Sequence, residues 1–109
     1  MLSKKHRLPI QEKKVFIYAT HSPIFTLKHG KNQLQESRFG VIISKRIDKR
    51  AVVRNKIKRM IMEYARTRLD RIKTSTDILF IIKPAIKEKK QEEVEKEIEC
   101  AFLKAKLSI

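Results

Sequence analysis

The chain has 109 residues, 41% of them hydrophobic, which suits one folded domain over residues 1–109 and is too short for two ordinary ones. Its 27 Lys and Arg residues against 12 Asp and Glu residues give a formal net charge of +15, which favours nucleic acid as the partner. One cysteine excludes an intramolecular disulfide and a cysteine-rich zinc site, and no apolar run in the sequence is long enough to cross a membrane. The composition therefore predicts a basic, cytoplasmic protein with no membrane partner.

Residues 1–14 are basic and irregular, and they are predicted to form an arm outside a folded core of residues 15–109. Pro9 is tolerated at the start of a helix but biases the preceding residue toward an extended backbone. At most a short helical turn over residues 9–14 is therefore expected. The arm has the positive charge of a secretory signal but lacks the apolar stretch that such a signal needs, so export is not expected.

Three short strands are predicted next. Residues 15–20 and 24–28 are rich in β-branched and aromatic side chains, and a turn at residues 21–23 separates them. A polar connection then leads to a third strand at residues 39–44, where Gly40 permits close approach of another backbone or a ligand. The first two strands are expected to form a meander.

A long helix is predicted over residues 49–71, because apolar residues recur there at the spacing of one helical face. Asp48 is predicted to be its N-cap. Cations such as Lys49 and Arg50 crowd the helix start, where the macrodipole favours acids, and a bound phosphate would offset this unfavourable charge. The apolar face consists of Val53, Ile57, Met60, Ile61 and Tyr64.

A fourth strand at residues 77–83 and a second amphipathic helix at residues 90–106 complete the pattern. The unbroken apolar run of the strand indicates a central position in a sheet or cover on both sides. The helix carries acids in its N-terminal half and an apolar stripe that includes Val94, Ile98 and Phe102. The predicted fold class is α+β: a small four-stranded sheet with two main helices on one face, in the order arm or short α, β, β, β, α, β, α.

The middle of the chain is interpreted as a surface that binds a polyanion. Residues 45–73 hold twelve Lys and Arg residues and only three acids. The alternative is a solvated helix face that merely aids solubility, but uncompensated like charges one turn apart destabilise a helix. Asn55 lies among these cations, where its amide can bond a sugar hydroxyl, a phosphate oxygen or a base edge.

Catalysis by the protein alone is not expected. The three histidines have no acidic companion at a useful spacing, and Glu63 is interpreted as an ion-pair partner of Arg59 or Arg66. Cys100 is predicted to be a small packed residue. The predicted strands carry four aromatic residues, Phe16, Tyr18, Phe25 and Phe39. Their side chains are expected to pack in the core, and stacking on single-stranded bases is the alternative.

One motif resembles a known family. Residues 54–59 read Arg-Asn-Lys-Ile-Lys-Arg, and they follow a strand and link that read Gly-Val-Ile-Ile-Ser-Lys-Arg at residues 40–46. The combination is similar to the signature of the bacterial ribonuclease P protein subunit, and the similarity extends over almost the whole chain. Met62 stands where the family has an arginine, and Asp48 stands where it often has a glycine. The resemblance also implies a left-handed crossover between the third and fourth strands.

The resemblance implies a role in tRNA processing. The family's subunit binds a catalytic RNA and the precursor tRNA and assists removal of the 5′ leader, so the chain would be a subunit of an endoribonuclease. Mg²⁺ bound mainly by the RNA subunit would support hydrolysis, with no catalytic residue or metal ligand on the protein and no further protein partner required. By motif position the contacts to the RNA subunit would be Lys45, Arg46, Arg50, Arg54, Asn55, Lys56, Lys58 and Arg59. The leader would lie in a cleft formed by the sheet face and the first helix, with candidate contacts Lys4, Lys5, Arg7, Phe16, Tyr18 and Phe25.

Two other functions fit the composition. A ribosomal protein or RNA chaperone with no processing role has a similar charge and size. A DNA-binding module would place the basic helix in a major groove, but the sequence has no preceding partner helix with a short turn. For the ribosomal or chaperone alternative, only the motif at residues 54–59 separates it from the ribonuclease P subunit.

Overall fold

A computed structural model describes residues 4–9, 16 and 18–108 of the chain. Its main elements follow the predicted order of strands and helices and confirm the α+β class. The strands are β1 (Tyr18–His21), β2 (Phe25–Lys31), β3 (Arg38–Ile42) and β4 (Thr76–Ile82), and the helices are α1 (Ala51–Thr67) and α2 (Gln91–Lys104). Short 3-10 helices lie at Lys4–His6, Leu69–Arg71 and Pro84–Glu88.

Several boundaries differ from the predicted ones. α1 ends at Thr67, four residues early, because Arg68 leaves helical geometry at φ −124° and ψ 20°. β2 continues to Lys31, since Gly30 pairs with Asp77 and the ladder runs through the glycine. The short turn predicted at residues 9–14 falls largely outside the described residues.

The sheet has the strand order β1-β2-β4-β3. β1 with β2 and β2 with β4 are antiparallel, whereas β3 and β4 are parallel neighbours joined through α1. A parallel pair needs such a crossover, because a tight turn can only join antiparallel strands. β4 is therefore central, as its unbroken apolar run predicted.

One face of the sheet forms the core. Residues paired across strands share a face, so Leu27, Phe80 and Val41 point to the same side. The Phe80 ring lies 5.3 Å from that of Phe25 and 6.1 Å from that of Phe102 in α2. The apolar stripes of α1 and α2 join this cluster, with α1 against β3 and α2 against β1. The two helices thus cover one face, as predicted.

The other face of the sheet lies opposite the layer formed by α1 and α2. Lys28, Thr26 and Ile81 are half-buried there, and Ile42 is 38% exposed. Near the edge of this face, Arg38 donates to the fully buried carboxylate of Asp77 through Nε at 2.9 Å and Nη2 at 2.7 Å. This bidentate ion pair links β3 to β4. We call the surface around Lys28 the open face.

The arm is attached to the outer edge of β3. The Leu8 amide donates to the Phe39 carbonyl at 2.8 Å, and Arg7 forms a parallel bridge with Phe39. The His6 ring nitrogen Nδ1 lies 2.8 Å from the Ser37 carbonyl oxygen. The side chain of Leu8 is buried. This part of the arm is therefore ordered against the sheet.

Candidate RNA-binding surface

The start of α1 is organised by the carboxylate of Asp48. Its Oδ1 accepts from the Arg50 amide at 2.9 Å and from the Arg50 Nε at 3.0 Å, and its Oδ2 lies 3.1 Å from Lys87 Nζ. These hydrogen bonds, from Arg50 first and then from Lys87, hold the pKa of Asp48 well below its ordinary value. Asp48 thus ties the helix start to the 3-10 turn Pro84–Glu88 that follows β4.

The predicted N-cap role of Asp48 is wrong. The N-cap is Arg50, which makes no side-chain capping bond, and the first turn of α1 contains no acid. The carboxylate lies two positions before the N-cap and bonds the Arg50 amide, outside the helix proper. The helix N-terminus therefore keeps a positive environment that attracts anions.

Arg54 has a structural role that the sequence did not indicate. Its Nη1 donates to the carbonyl oxygens of Asp48 at 2.9 Å and Lys49 at 2.8 Å. The side chain is half-buried, and it fixes the link to the first turn of α1. Arg54 thus belongs to the basic surface and also to the scaffold that shapes it.

The other motif residues are solvent-exposed. Among the described residues, Arg59 has no hydrogen-bond or ion-pair partner, and Asn55, one turn earlier on the same side of α1, is exposed beside it. Lys56 and Lys58 lie on opposite flanks of the helix, since two residues separate by roughly 200° around it. The predicted contacts that are exposed at this end of α1 are Lys45, Arg46, Arg50, Asn55, Lys56, Lys58 and Arg59, and Lys49 is exposed among them. We call this set, with Arg54, the α1 basic surface.

Glu63 marks the far limit of the α1 basic surface. Its carboxylate accepts from the guanidinium of Arg66, three residues on, so Arg66 rather than Arg59 is its partner. The Arg66 hydrogen bond lowers the pKa of Glu63 and keeps it ionised. Arg66 is thus charge-compensated, whereas Arg59 keeps its charge for an external anion.

The predicted leader contacts do not all lie on one surface. Phe25 is fully buried against Phe80, so its assignment as a surface contact is wrong. Tyr18 is 59% exposed, but its register with His29 and Ile78 places it on the helix side of the sheet. Phe16 is half-buried. The cations Lys4, Lys5 and Arg7 are exposed beside the edge of β3.

The open face supplies residues that the sequence reasoning missed. Lys28 is its central cation, paired in register with Ala19 on one side and Leu79 on the other. His21 and Thr26 lie one row away, and the His21 ring nitrogen Nδ1 is 3.4 Å from the Thr26 hydroxyl. The signal was present: if Phe25 and Leu27 face the core, then Thr26 and Lys28 face the opposite side.

The remaining predictions concern Cys100, metal ligands and membrane-spanning helices. Cys100 is exposed, so its prediction as a packed residue is wrong; Ala101 and Phe102 fill that stripe instead. Within residues 4–9, 16 and 18–108, no three His, Cys, Asp or Glu side chains cluster as a metal site. No described helix is long and apolar enough to cross a bilayer.

Comparison with known proteins decides the family. A family model described as Ribonuclease P matches residues 4–106. The chain belongs to the ribonuclease P family. A ribonuclease P protein component from Fusobacterium nucleatum is 35% identical over 94 residues, covering 83% of this chain and 81% of that protein. One from Alkaliphilus metalliredigens is 38% identical over 76 residues, covering 70% and 68%.

Solved ribonuclease P proteins share the fold. A structure of the Staphylococcus aureus RNase P protein matches with a TM-score of 0.76 at 26% identity, covering 83% of this chain and 82% of that one. The RNase P protein from Thermotoga maritima matches with a TM-score of 0.69 at 24% identity over 74% of this chain, a likeness of fold alone. The family resemblance carried by residues 54–59 is thereby confirmed.

Proposed function

We propose that the chain is the protein subunit of a ribonuclease P holoenzyme, which binds a catalytic RNA and precursor tRNA and assists removal of the 5′ leader. The observation that carries the proposal is the α1 basic surface within a chain of the ribonuclease P family. Its cations project from a rigid helix whose start is fixed by Asp48 and Arg54. A rigid array of this kind suits neutralisation of phosphates on a folded RNA.

The leader is assigned to the open face. An extended RNA strand there would meet Lys28 at its centre, with His21 and Thr26 as polar neighbours. The arm cations Lys4 and Arg7 would flank the strand from the β3 edge. Apolar Ile81 and Ile42 offer contact area to bases, which supports binding without sequence readout.

Hydrolysis is assigned to the RNA subunit and its Mg²⁺. No metal ligand and no catalytic residue is proposed on this chain. Its contribution would be to position substrate and to neutralise charge where the two RNAs meet. The cytoplasm, where precursor tRNA is made in bacteria, is the proposed location.

The decisive experiment adds the purified protein to a bacterial ribonuclease P RNA and precursor tRNA at low Mg²⁺. Cleavage at the mature 5′ end is expected to rise on addition of the wild-type chain and to rise less with Arg59→Ala at the same protein concentration. Lys96 is an exposed lysine on α2, so Lys96→Ala is the matched control for the loss of one charge. Equal stimulation by all three proteins would contradict the assignment of the α1 basic surface.

A further inference from the structure

A second basic site lies where the C-terminal end of α2 meets the ends of β1 and β2. It is an open cleft of about 550 Å³, a size typical of small-ligand sites. Four lysines line it and no acid does: Lys31, Lys73, Lys104 and Lys106. The lysines come from separate parts of the chain, so only the fold brings them together. We call this the lysine cleft.

The charge of the lysine cleft is not explained by the fold alone. The negative end of the α2 macrodipole favours cations, which accounts for Lys104 and Lys106. It does not account for Lys31 at the end of β2 or Lys73 ahead of β4. Among the described residues none of the four lysines has an ion-pair partner. Their mutual repulsion would be relieved by a bound anion.

The backbone at Lys106 supports a ligand-binding role. The helix ends in a Schellman motif, in which the Leu107 amide donates to the Phe102 carbonyl at 2.9 Å and the Lys106 amide to the Leu103 carbonyl at 3.2 Å. Lys106 occupies the left-handed position of this motif, with φ 58°. Glycine is usual there because a side chain is unfavourable at positive φ. The chain carries a lysine at a position that costs it stability, on the rim of the cleft.

Tyr18 provides a flat surface at the mouth of the cleft. Its ring is 59% exposed and stacks on the His29 ring, with centroids 5.3 Å apart and planes 21° from parallel. His29 is buried, and its burial, followed by the charge of Lys73, lowers its pKa, so the imidazole stays neutral near pH 7. One face of the Tyr18 ring is thus supported by a neutral partner, and its remaining exposed surface can receive a base.

The lysine cleft is remote from the α1 basic surface. The link before α1 is bonded through Asp48 to Lys87, which follows the C-terminal end of β4, whereas Thr76 at the other end of β4 lines the cleft. A strand of seven residues separates these ends by roughly 20 Å. Tyr18 also lies on the helix side of the sheet, opposite Lys28. The cleft is therefore separate from both surfaces assigned above.

We propose that the lysine cleft binds a short stretch of single-stranded RNA, with one base stacked on Tyr18 and the adjoining phosphates between the four lysines. Lysine ammonium groups attract phosphate without reading bases, and an aromatic ring stacks on any base. Binding at this site would therefore not depend on the RNA sequence. The inference rests on the RNA-binding function proposed above, but it concerns a different part of the molecule.

The test uses the full chain and a fluorescently labelled oligouridylate at low salt. Lys106→Gly removes the side chain and relieves the unfavourable φ, so the melting temperature should not fall while affinity does. The log–log salt dependence should flatten by about 0.7 for one lost phosphate contact. Tyr18→Leu should weaken binding by roughly fivefold or more, and Tyr18→Phe should retain it. Lys96→Gln is the matched charge control.

Two RNA sources are then distinguished. The same variants are titrated with the ribonuclease P RNA, and the assembled complex is titrated with precursor tRNA of long or very short leader. If the variants lose affinity only for the ribonuclease P RNA, the cleft binds the RNA subunit. If they lose affinity only for precursor tRNA with the long leader, the cleft binds the leader. Affinity of Lys106→Gly equal to that of Lys96→Gln for all ligands would overturn the proposal. Arg59→Ala in parallel reports on the α1 basic surface separately.

Discussion

Arg54 and Arg59 have the same side chain in one motif, but the structure predicts different consequences of their removal. Arg54 donates to two backbone carbonyls, whereas Arg59 has no partner among the described residues. Both hydrogen bonds of Arg54 are donated by one nitrogen, and one of them is solvent-exposed. Their combined contribution to the unfolding free energy should therefore lie near the lower end of the range for hydrogen bonds to charged groups. We expect Arg54→Ala to cost about 1–2 kcal/mol of unfolding free energy. Arg59→Ala should change it by less than about 0.5 kcal/mol.

RNA binding should show the complementary pattern. Arg59→Ala removes one of the proposed phosphate contacts, so affinity should fall and the slope of log affinity against log salt should decrease by about 1. Arg54→Ala should also weaken binding, because the link through Asp48 and Lys49 is no longer fixed and its cations lose their common geometry. The assay is urea unfolding at neutral pH together with binding of the ribonuclease P RNA over a range of salt.

Lys58→Ala is the matched control for the stability measurement. Lys58 lies one turn after Arg54 on the same side of α1 and is exposed. Its removal should leave stability unchanged while it lowers RNA affinity. The reasoning would be refuted if Arg54→Ala and Lys58→Ala unfolded at the same urea concentration. It would also be refuted if Arg59→Ala kept the wild-type affinity and salt slope.

Three further predictions follow from other parts of the structure. Asp77→Ala leaves the Arg38 guanidinium largely buried without its carboxylate, so the unfolding free energy should fall by about 3–5 kcal/mol in urea, and a loss below about 1 kcal/mol would contradict the role of this ion pair. The pKa of Asp48 is lowered in the folded state, so the stabilisation by this carboxylate is present above its unfolded pKa and is lost as the pH falls below about 4. The melting temperature of Asp48→Asn should therefore depend less on acid pH than that of the wild type. An unchanged acid dependence would contradict the stabilising role of Asp48. Lys28→Ala should weaken binding of precursor tRNA with a long leader and leave tRNA with a very short leader unaffected, measured with the assembled complex; equal losses for both would remove Lys28 from the leader site.

The order and type of the elements could be predicted, because the spacing of apolar residues along the chain shows which side of each helix or strand is buried. The spacing of Val53, Ile57 and Ile61 predicted α1, and the apolar run of residues 77–83 predicted a central strand. The neighbours of that strand could not be predicted, since the parallel pairing of β3 with β4 depends on a crossover. The helix end at Thr67 was missed because Arg68 is helix-compatible in sequence but adopts another backbone conformation.

The site residues could be predicted where the only requirement is that the side chain faces solvent. Asn55 and Arg59 had to face solvent once the apolar stripe of α1 was identified. Phe25 was misassigned because strand alternation shows which residues share a face but not which face is covered. The inward bonds of Arg54 depend on carbonyl orientations in the preceding turn, which no local pattern encodes. The lysine cleft was missed because its cations are brought together only by tertiary structure.

The attachment of the arm to Phe39 has a consequence for the solution behaviour of the protein. β3 is a terminal strand of the sheet, and the free flank of such a strand can recruit another copy and start a growing chain of molecules. Leu8 and Arg7 occupy that flank with backbone atoms and place a cation beside it. The segment proposed to bind the RNA leader therefore also blocks pairing of another strand along this part of β3.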